Sequence, residues 1–184
     1  RVDGRSVLLG NPRYLKTQDI ALGEWEQRGA QLAAQAQTPL YVAIDGKIAG
    51  LIGVADPVKP GARDAIAAFH KAGLRVVMLT GDHRVTAEAV ARELAIDEVR
   101  AEVLPADKAS EVARLQDTGA VVGMVGDGIN DAPALARADV GFAIGSGTDV
   151  AMESADVRLI GGSLFGVLDA IQISRVTVRN IRQN

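Results

Sequence analysis

The stretch Ala120-Val121-Val122-Gly123-Met124-Val125, followed by Gly126-Asp127-Gly128-Ile129-Asn130-Asp131-Ala132-Pro133, decides how the chain is read. Its first part is apolar, as a strand buried on both faces requires. Its second part turns sharply on two glycines, and Pro133 opens a short helix over 133–137. Asp127 and Asp131 are two carboxylates four residues apart, with Asn130 between them. Hard oxygen donors on a tight turn suit a magnesium ion that keeps several waters and meets a phosphate. Gly126-Asp127-Gly128 alone would read as a solvated surface turn. The run continues unbroken to Leu135, and that length favours the metal reading.

Working outward, the pattern repeats. The run 74–79 reads as a second buried strand and ends in Thr80-Gly81-Asp82. A hydroxyl and free backbone N–H groups at a helix start can hold a phosphate oxygen. A plain turn with a capping Thr or Asp reads as well for this triplet alone. Helices are expected over 62–72 with Gly73 as the C-cap, 86–94, 105–115 and 164–183. Further strands are expected at 99–103, 140–144 and 157–160. Such alternation indicates an α/β fold with a doubly wound parallel sheet. In such sheets ligands sit outside the carboxyl ends of the strands, where both acidic turns fall.

Lys108 lies in Pro105-Ala106-Asp107-Lys108, in the first turn of a helix. A cation there opposes the helix dipole, which favours anions at that end by about 0.3–1 kcal/mol. A locally unfavourable placement hints at function, here neutralisation of a phosphoryl group. Any isolated lysine is more simply a solvated one beside Asp107. Together the turns supply sites for Mg²⁺, a cation and a hydroxyl, which is phosphoryl-transfer chemistry by positioning and charge neutralisation. A nucleophile is lacking: there is no Asp-Lys-Thr-Gly-like segment and no Walker A lysine loop.

The first ~50 residues have another style. A short strand over 6–9 stops at Gly10-Asn11, a helix is expected over 24–37, and β-rich runs at 40–44 and 47–54 flank Asp45-Gly46, a strong hairpin signal. Asp56-Pro57-Val58-Lys59-Pro60 reads as a rigid connector. The 184 residues carry a net charge of -3, which gives nucleic-acid binding no electrostatic support. There are no cysteines and only two histidines, His70 and His83, so thiolate and His-rich metal sites are excluded. No apolar run reaches the ~18 residues of a membrane span. Arg1 opens the chain without an initiator Met and Asn184 closes it within a helical pattern, so both ends read as cuts.

Thr80-Gly81-Asp82, Pro105-Ala106-Asp107-Lys108 and the run Gly126 to Leu135 stand in the order found in P-type ATPases, which share the haloacid-dehalogenase-like fold. Gly145-Ser146-Gly147-Thr148-Asp149-Val150-Ala151 also fits. The chain resembles their heavy-metal class, and within it the copper-exporting branch. The resemblance implies that Asp127 binds Mg²⁺, with Asp131 and Asn130 in support. Thr80 and Gly81 would contact an aspartyl phosphate, Lys108 would neutralise it and Asp82 would shape the site. Gly10 and Asn11 would lie against ATP, and Asp56 and Lys59 would act at a hinge. It further implies that residues 1–53 end a small α+β nucleotide-binding domain, 54–163 belong to a phosphorylation domain, and 164–184 form a stalk helix entering a membrane span. His83 stands where copper exporters usually have Asn.

The resemblance also implies partners. The phosphorylated Asp, the remaining ATP motifs and the membrane helices would lie elsewhere in a longer protein at the cytoplasmic face of a membrane. An upstream segment would carry Asp-Lys-Thr-Gly on the central strand, and the transported metal, expected to be Cu⁺, would bind in the membrane domain. Two other functions compete. A soluble haloacid-dehalogenase-type phosphatase is disfavoured by the missing Asp-x-Asp nucleophile motif. A non-catalytic nucleotide-binding module would leave the phosphoryl-site residues idle.

Overall fold

The computed structural model describes residues 1–55, 58–127, 129–145 and 153–183. The hinge candidate Asp56, Gly128 of the acidic turn and residues 146–151 lie outside the described residues.

The Asp45-Gly46 pair makes the expected hairpin. Both residues have left-handed backbones, with φ of 49° and 80°, as a two-residue turn matched to strand twist demands. The Asp45 carboxylate accepts from Arg5 Nε at 2.8 Å and Ser6 N at 2.9 Å, which ties the turn to the first strand. Strands β1 (Val7–Gly10), β2 (Thr38–Ile44) and β3 (Lys47–Val54) form an antiparallel sheet in that order. Helices α1 (Pro12–Thr17) and α2 (Trp25–Ala34) accompany it. Leu15, Ile20, Tyr41 and Ala43 form its buried core, with Trp25 packed against them. Helix α1 has too few residues to show a periodic pattern. Its signal is Asn11-Pro12, an N-cap followed by proline at the first helical position.

Beyond the connector, helix and strand alternate as expected: α3 (Ala62–Lys71), β4 (Val77–Leu79), α4 (Arg84–Leu94), β5 (Glu98–Arg100), α5 (Lys108–Asp117), β6 (Gly123–Gly126), α6 (Ala132–Arg137), β7 (Val140–Ile144), β8 (Val157–Leu159) and α7 (Phe165–Gln183). Helix α3 ends as its sequence dictates, since Gly73 takes φ 78° and Leu74 N bonds back to Phe69 O. All the pairings in this part are parallel, but they fall in two pieces: β4 with β5, and β6-β7-β8. Among the described residues no ladder joins β4 to β6. Both strands are accordingly half-exposed along most of their length, although their sequences read as buried, whereas Gly141–Ile144 of β7 are buried between two neighbours. The pieces share one core of Ile66, Phe69, Phe142 and Val167, joined by Val76, Val125 and Leu159. The first turns of α7 belong to that core through Val167, Leu168 and Ile171.

A recurring device sets the strand order. Asp97, Asp139 and Asp156 each stand just before a strand and accept an N–H from the neighbouring strand's start: Val76 at 2.7 Å, Val122 at 2.8 Å and Gly141 at 2.8 Å. The Val76 N–H, helped by His70, holds the Asp97 carboxyl below the usual carboxylate range. The Val122 N–H, with Gln116, does the same for Asp139.

Candidate functional site

The turn after β4 is built on its own side chains. The Thr80 hydroxyl donates to Asp82 Oδ2 at 2.8 Å and accepts from Asp82 N at 3.1 Å. The loop after β5 then clamps it: Thr80 N donates to Arg100 O, Glu102 N to Asp82 O and Val103 N to Thr80 O, each at 3.0 Å. Glu102 adopts φ 59°, a left-handed conformation that costs a non-glycine residue energy. That bend turns the chain into Pro105–Asp107, a single 3-10 turn, and so to Lys108 at the first residue of α5. His83 caps α4, its Nδ1 accepting from Val85 N at 3.4 Å.

The turn after β6 meets the segment Pro105–Lys108. Lys108 Nζ donates to Asp131 Oδ1 at 2.6 Å, and the two side chains are only 18% and 12% exposed. The pair explains how a cation is tolerated at a helix start. Asp131 sits in a 3-10 turn, Ile129–Asp131, folded back over the end of β6. A Cβ at Gly126 would lie 2.7 Å from Asp131 Cβ, so only glycine allows this approach. Gly126 is thus a site residue whose part did not emerge from the sequence. Its only signal was a glycine placed between an apolar strand and an aspartate.

Asp127 is exposed, and among the described residues its carboxylate has no hydrogen-bond or ion-pair partner. Asn130 is exposed beside it in sequence. Among the described residues no three carboxylate or imidazole groups converge on one point. A free Asp127 carboxylate, with Asp131 partly taken by Lys108, offers hard oxygen donors in small number. That fits a magnesium ion completed by waters and a phosphate better than an all-protein cage.

The remaining candidates stand apart. Gly10 is required locally, because a Cβ there would lie 2.3 Å from Tyr14 Cδ1. Asn11 Oδ1 caps α1 by accepting from Tyr14 N at 2.8 Å. Both residues therefore have structural reasons to be present, whatever else they do. Lys59 is exposed, and its carbonyl accepts from Ala62 N where α3 begins. The structure pairs Lys108 with Asp131 and ties Thr80 and Asp82 to the loop after β5 that leads to Lys108, while Asp127 follows β6 without a partner among the described residues. Gly10 and Asn11 lie on the other sheet.

A half-buried lysine–aspartate pair, an acidic turn and a hydroxyl turn stand among parallel strands. The chain belongs to the haloacid dehalogenase-like hydrolase family, which matches residues 3–139. Within it, the chain is homologous to part of the heavy-metal P-type ATPases. It is 51% identical over 183 residues to Copper-transporting ATPase 2 of Rhizobium meliloti (strain 1021), covering 100% of this chain and 22% of that protein. It is 50% identical to the Silver exporting P-type ATPase of Salmonella typhimurium, again over 100% of this chain and 22% of the relative. The crystal structure of a zinc-transporting PIB-type ATPase in its E2.Pi state superposes with a TM-score of 0.73 at 37% identity, over 100% of this chain and 29% of that one. The chain therefore spans under a quarter of the length of the two sequence relatives.

Proposed function

We propose that this chain supplies the magnesium- and phosphate-facing residues of an ATP-driven metal-exporting P-type ATPase, whose phosphorylated aspartate lies on a segment outside the chain. The observation that carries this reading is the Lys108–Asp131 pair, which joins the start of α5 to the turn after β6 at 2.6 Å. Lys108 has three donors and gives one to Asp131, so two remain for phosphoryl oxygens. Mg²⁺ held by Asp127, with Asp131 and Asn130 in support, would supply charge neutralisation at the phosphate. The Gly81 N–H has no acceptor among the described residues and is available to a phosphate oxygen. Thr80 can join it only by turning its hydroxyl away from Asp82. Asp82 therefore sets how readily that donor is released.

The missing aspartate has a natural entry. Among the described residues strands β4 and β6 each have one ladder partner, and their carboxyl ends carry the two turns. A strand from the upstream Asp-Lys-Thr-Gly segment, entering between them, would bring its terminal aspartate to Lys108 and Asp127. Asp56 and Lys59 would form the hinge, and residues 164–184 the stalk toward a membrane domain at the cytoplasmic face. Gly10 and Asn11 would face ATP. The expected cargo is Cu⁺, bound in the membrane domain, although relatives are named for copper, silver and zinc.

The test is phosphoryl-enzyme formation from labelled ATP and Mg²⁺, with the chain alone and with the upstream segment added. Label should appear on the segment only in the mixture and vanish with Asp127→Ala. Label on this chain alone would overturn the proposal, because the chain would then hold its own nucleophile.

A further inference from the structure

The chain holds two cores. Leu15, Ile20, Tyr41 and Ala43 pack inside the antiparallel unit, and Ile66, Phe69, Phe142 and Val167 inside the parallel one. Units joined by a connector alone move relative to each other by default. Here helix α2 of the first unit also packs against helix α4 of the second. Beside that contact Thr86 is 4% exposed, and its hydroxyl donates to the carbonyl of Gln37 at 3.3 Å, 49 residues away. A helical threonine commonly returns its hydroxyl to a carbonyl three or four residues back. For Thr86 those carbonyls belong to His83 and Asp82, and both are taken. His83 O accepts from Ala87 N and Asp82 O from Glu102 N, each at 3.0 Å. Gln37 is held from its own side. It follows Ala36 at φ 58°, and its N–H donates to Leu32 O at 3.0 Å. Its side chain fills the space beside Gly53, where a Cβ would lie 2.1 Å from Gln37 Oε1. Thr38, the next residue, pairs with Val54 at the end of β3, where the connector begins.

We infer that Thr86 is a positioning residue, which fixes the angle between the antiparallel unit and the helix that follows the Thr80–Asp82 turn. A connector alone is a single pivot. The Thr86 hydroxyl adds a second fixed point beside it and removes much of the freedom that a single pivot leaves. Thr86 lies in the first turn of α4, which His83 caps. One turn of helix thus stands between the phosphate candidates and the tie to the unit that carries Gly10 and Asn11. That consequence for a nucleotide rests on the function proposed above. The tie itself does not, and its test needs neither nucleotide nor upstream segment.

The test is single-molecule energy transfer between the two units. The chain has no cysteine, so Lys47→Cys and Asp117→Cys, both at exposed positions, take one donor and one acceptor dye. The labelled parent should give one narrow peak, and Thr86→Ser, which keeps the hydroxyl, the same peak. Thr86→Val keeps the shape and loses the donor. It should raise the population outside that peak roughly three- to tenfold, the range for one neutral hydrogen bond. Thr86→Glu sets a carboxylate against the Gln37 carbonyl and should make the displaced form the major one. Unchanged far-ultraviolet circular dichroism and Trp25 fluorescence show that both units are still folded; if Thr86→Glu unfolds, the valine and serine variants decide alone. A broad parent peak, a folded Thr86→Val whose displaced population stays within twofold of the parent, or an equal shift in Thr86→Ser overturns the inference.

Discussion

The Lys108–Asp131 pair gives a sharp test because it is close and well shielded. At 2.6 Å and an effective dielectric of about 20, Coulomb's law gives roughly 6 kcal/mol of attraction. Desolvation of both ions offsets much of that, so the pair's net contribution is small. Removing one partner is different, because the other charge stays shielded and unpaired, at a cost of about 3 kcal/mol. Lys108→Met and Asp131→Asn should therefore each destabilise the chain by about 3 kcal/mol, and the double variant by little more than either. The assay is urea unfolding of all four proteins, followed by far-ultraviolet circular dichroism and by fluorescence. Trp25 is the one tryptophan and packs on the antiparallel sheet. Its fluorescence midpoint should move less than the dichroism midpoint, because the pair sits in the parallel part. Additive costs, within about 0.5 kcal/mol, would refute the reasoning, since they would mean that the two charges do not interact.

Two further predictions concern acid and the nucleotide candidates. Asp97 and Asp139 titrate below their unfolded value, so their stabilisation is complete above about pH 4 and is lost as pH falls through the folded value. The melting temperature should drop between pH 6 and pH 3, and Asp97→Asn should make that drop shallower; an unchanged pH profile in the variant would show that the Val76 and His70 contacts do not hold the carboxylate. Asn11→Asp should keep the cap on Tyr14 N, while Asn11→Ala should cost about 1 kcal/mol. If both variants weaken nucleotide binding equally in an ATP titration, Asn11 acts on the nucleotide through its amide and not merely through the cap.

Much of this fold could be read before any coordinates. Asp45-Gly46 announced a hairpin because few residue pairs accept two left-handed backbones in succession. Strand β7 matched its expected span, 140–144, because both its neighbours are present in the chain. The apolar runs 74–79 and 120–125 are longer than the strands they contain, Val77–Leu79 and Gly123–Gly126. Their composition reflects a two-sided environment that this chain supplies on one side only. In the site, residue types and spacing exposed the acidic turns, but the pairing of Lys108 with Asp131 is 23 residues long-range and has no local signature. The same limit hid Gly126, whose role depends on where a side chain five residues later folds back.

The three aspartates at the amino edge connect these observations. Each crossover ends in an Asp that reaches sideways to the first free N–H of the strand before it: Asp97 to Val76, Asp139 to Val122 and Asp156 to Gly141. An unpaired N–H at a strand start is a cost that water or a partner must relieve. Here the next crossover relieves it, so the order β4-β5 and the order β6-β7-β8 are each fixed from within. Nothing of the kind links β4 to β6 among the described residues. The shared core holds those two pieces together, and the Lys108–Asp131 pair ties the start of α5 to the turn after β6. That pair holds the lysine ammonium beside the turn that follows β6. On the function proposed above, an aspartate delivered on an incoming strand would meet a cation that Asp131 already holds in place.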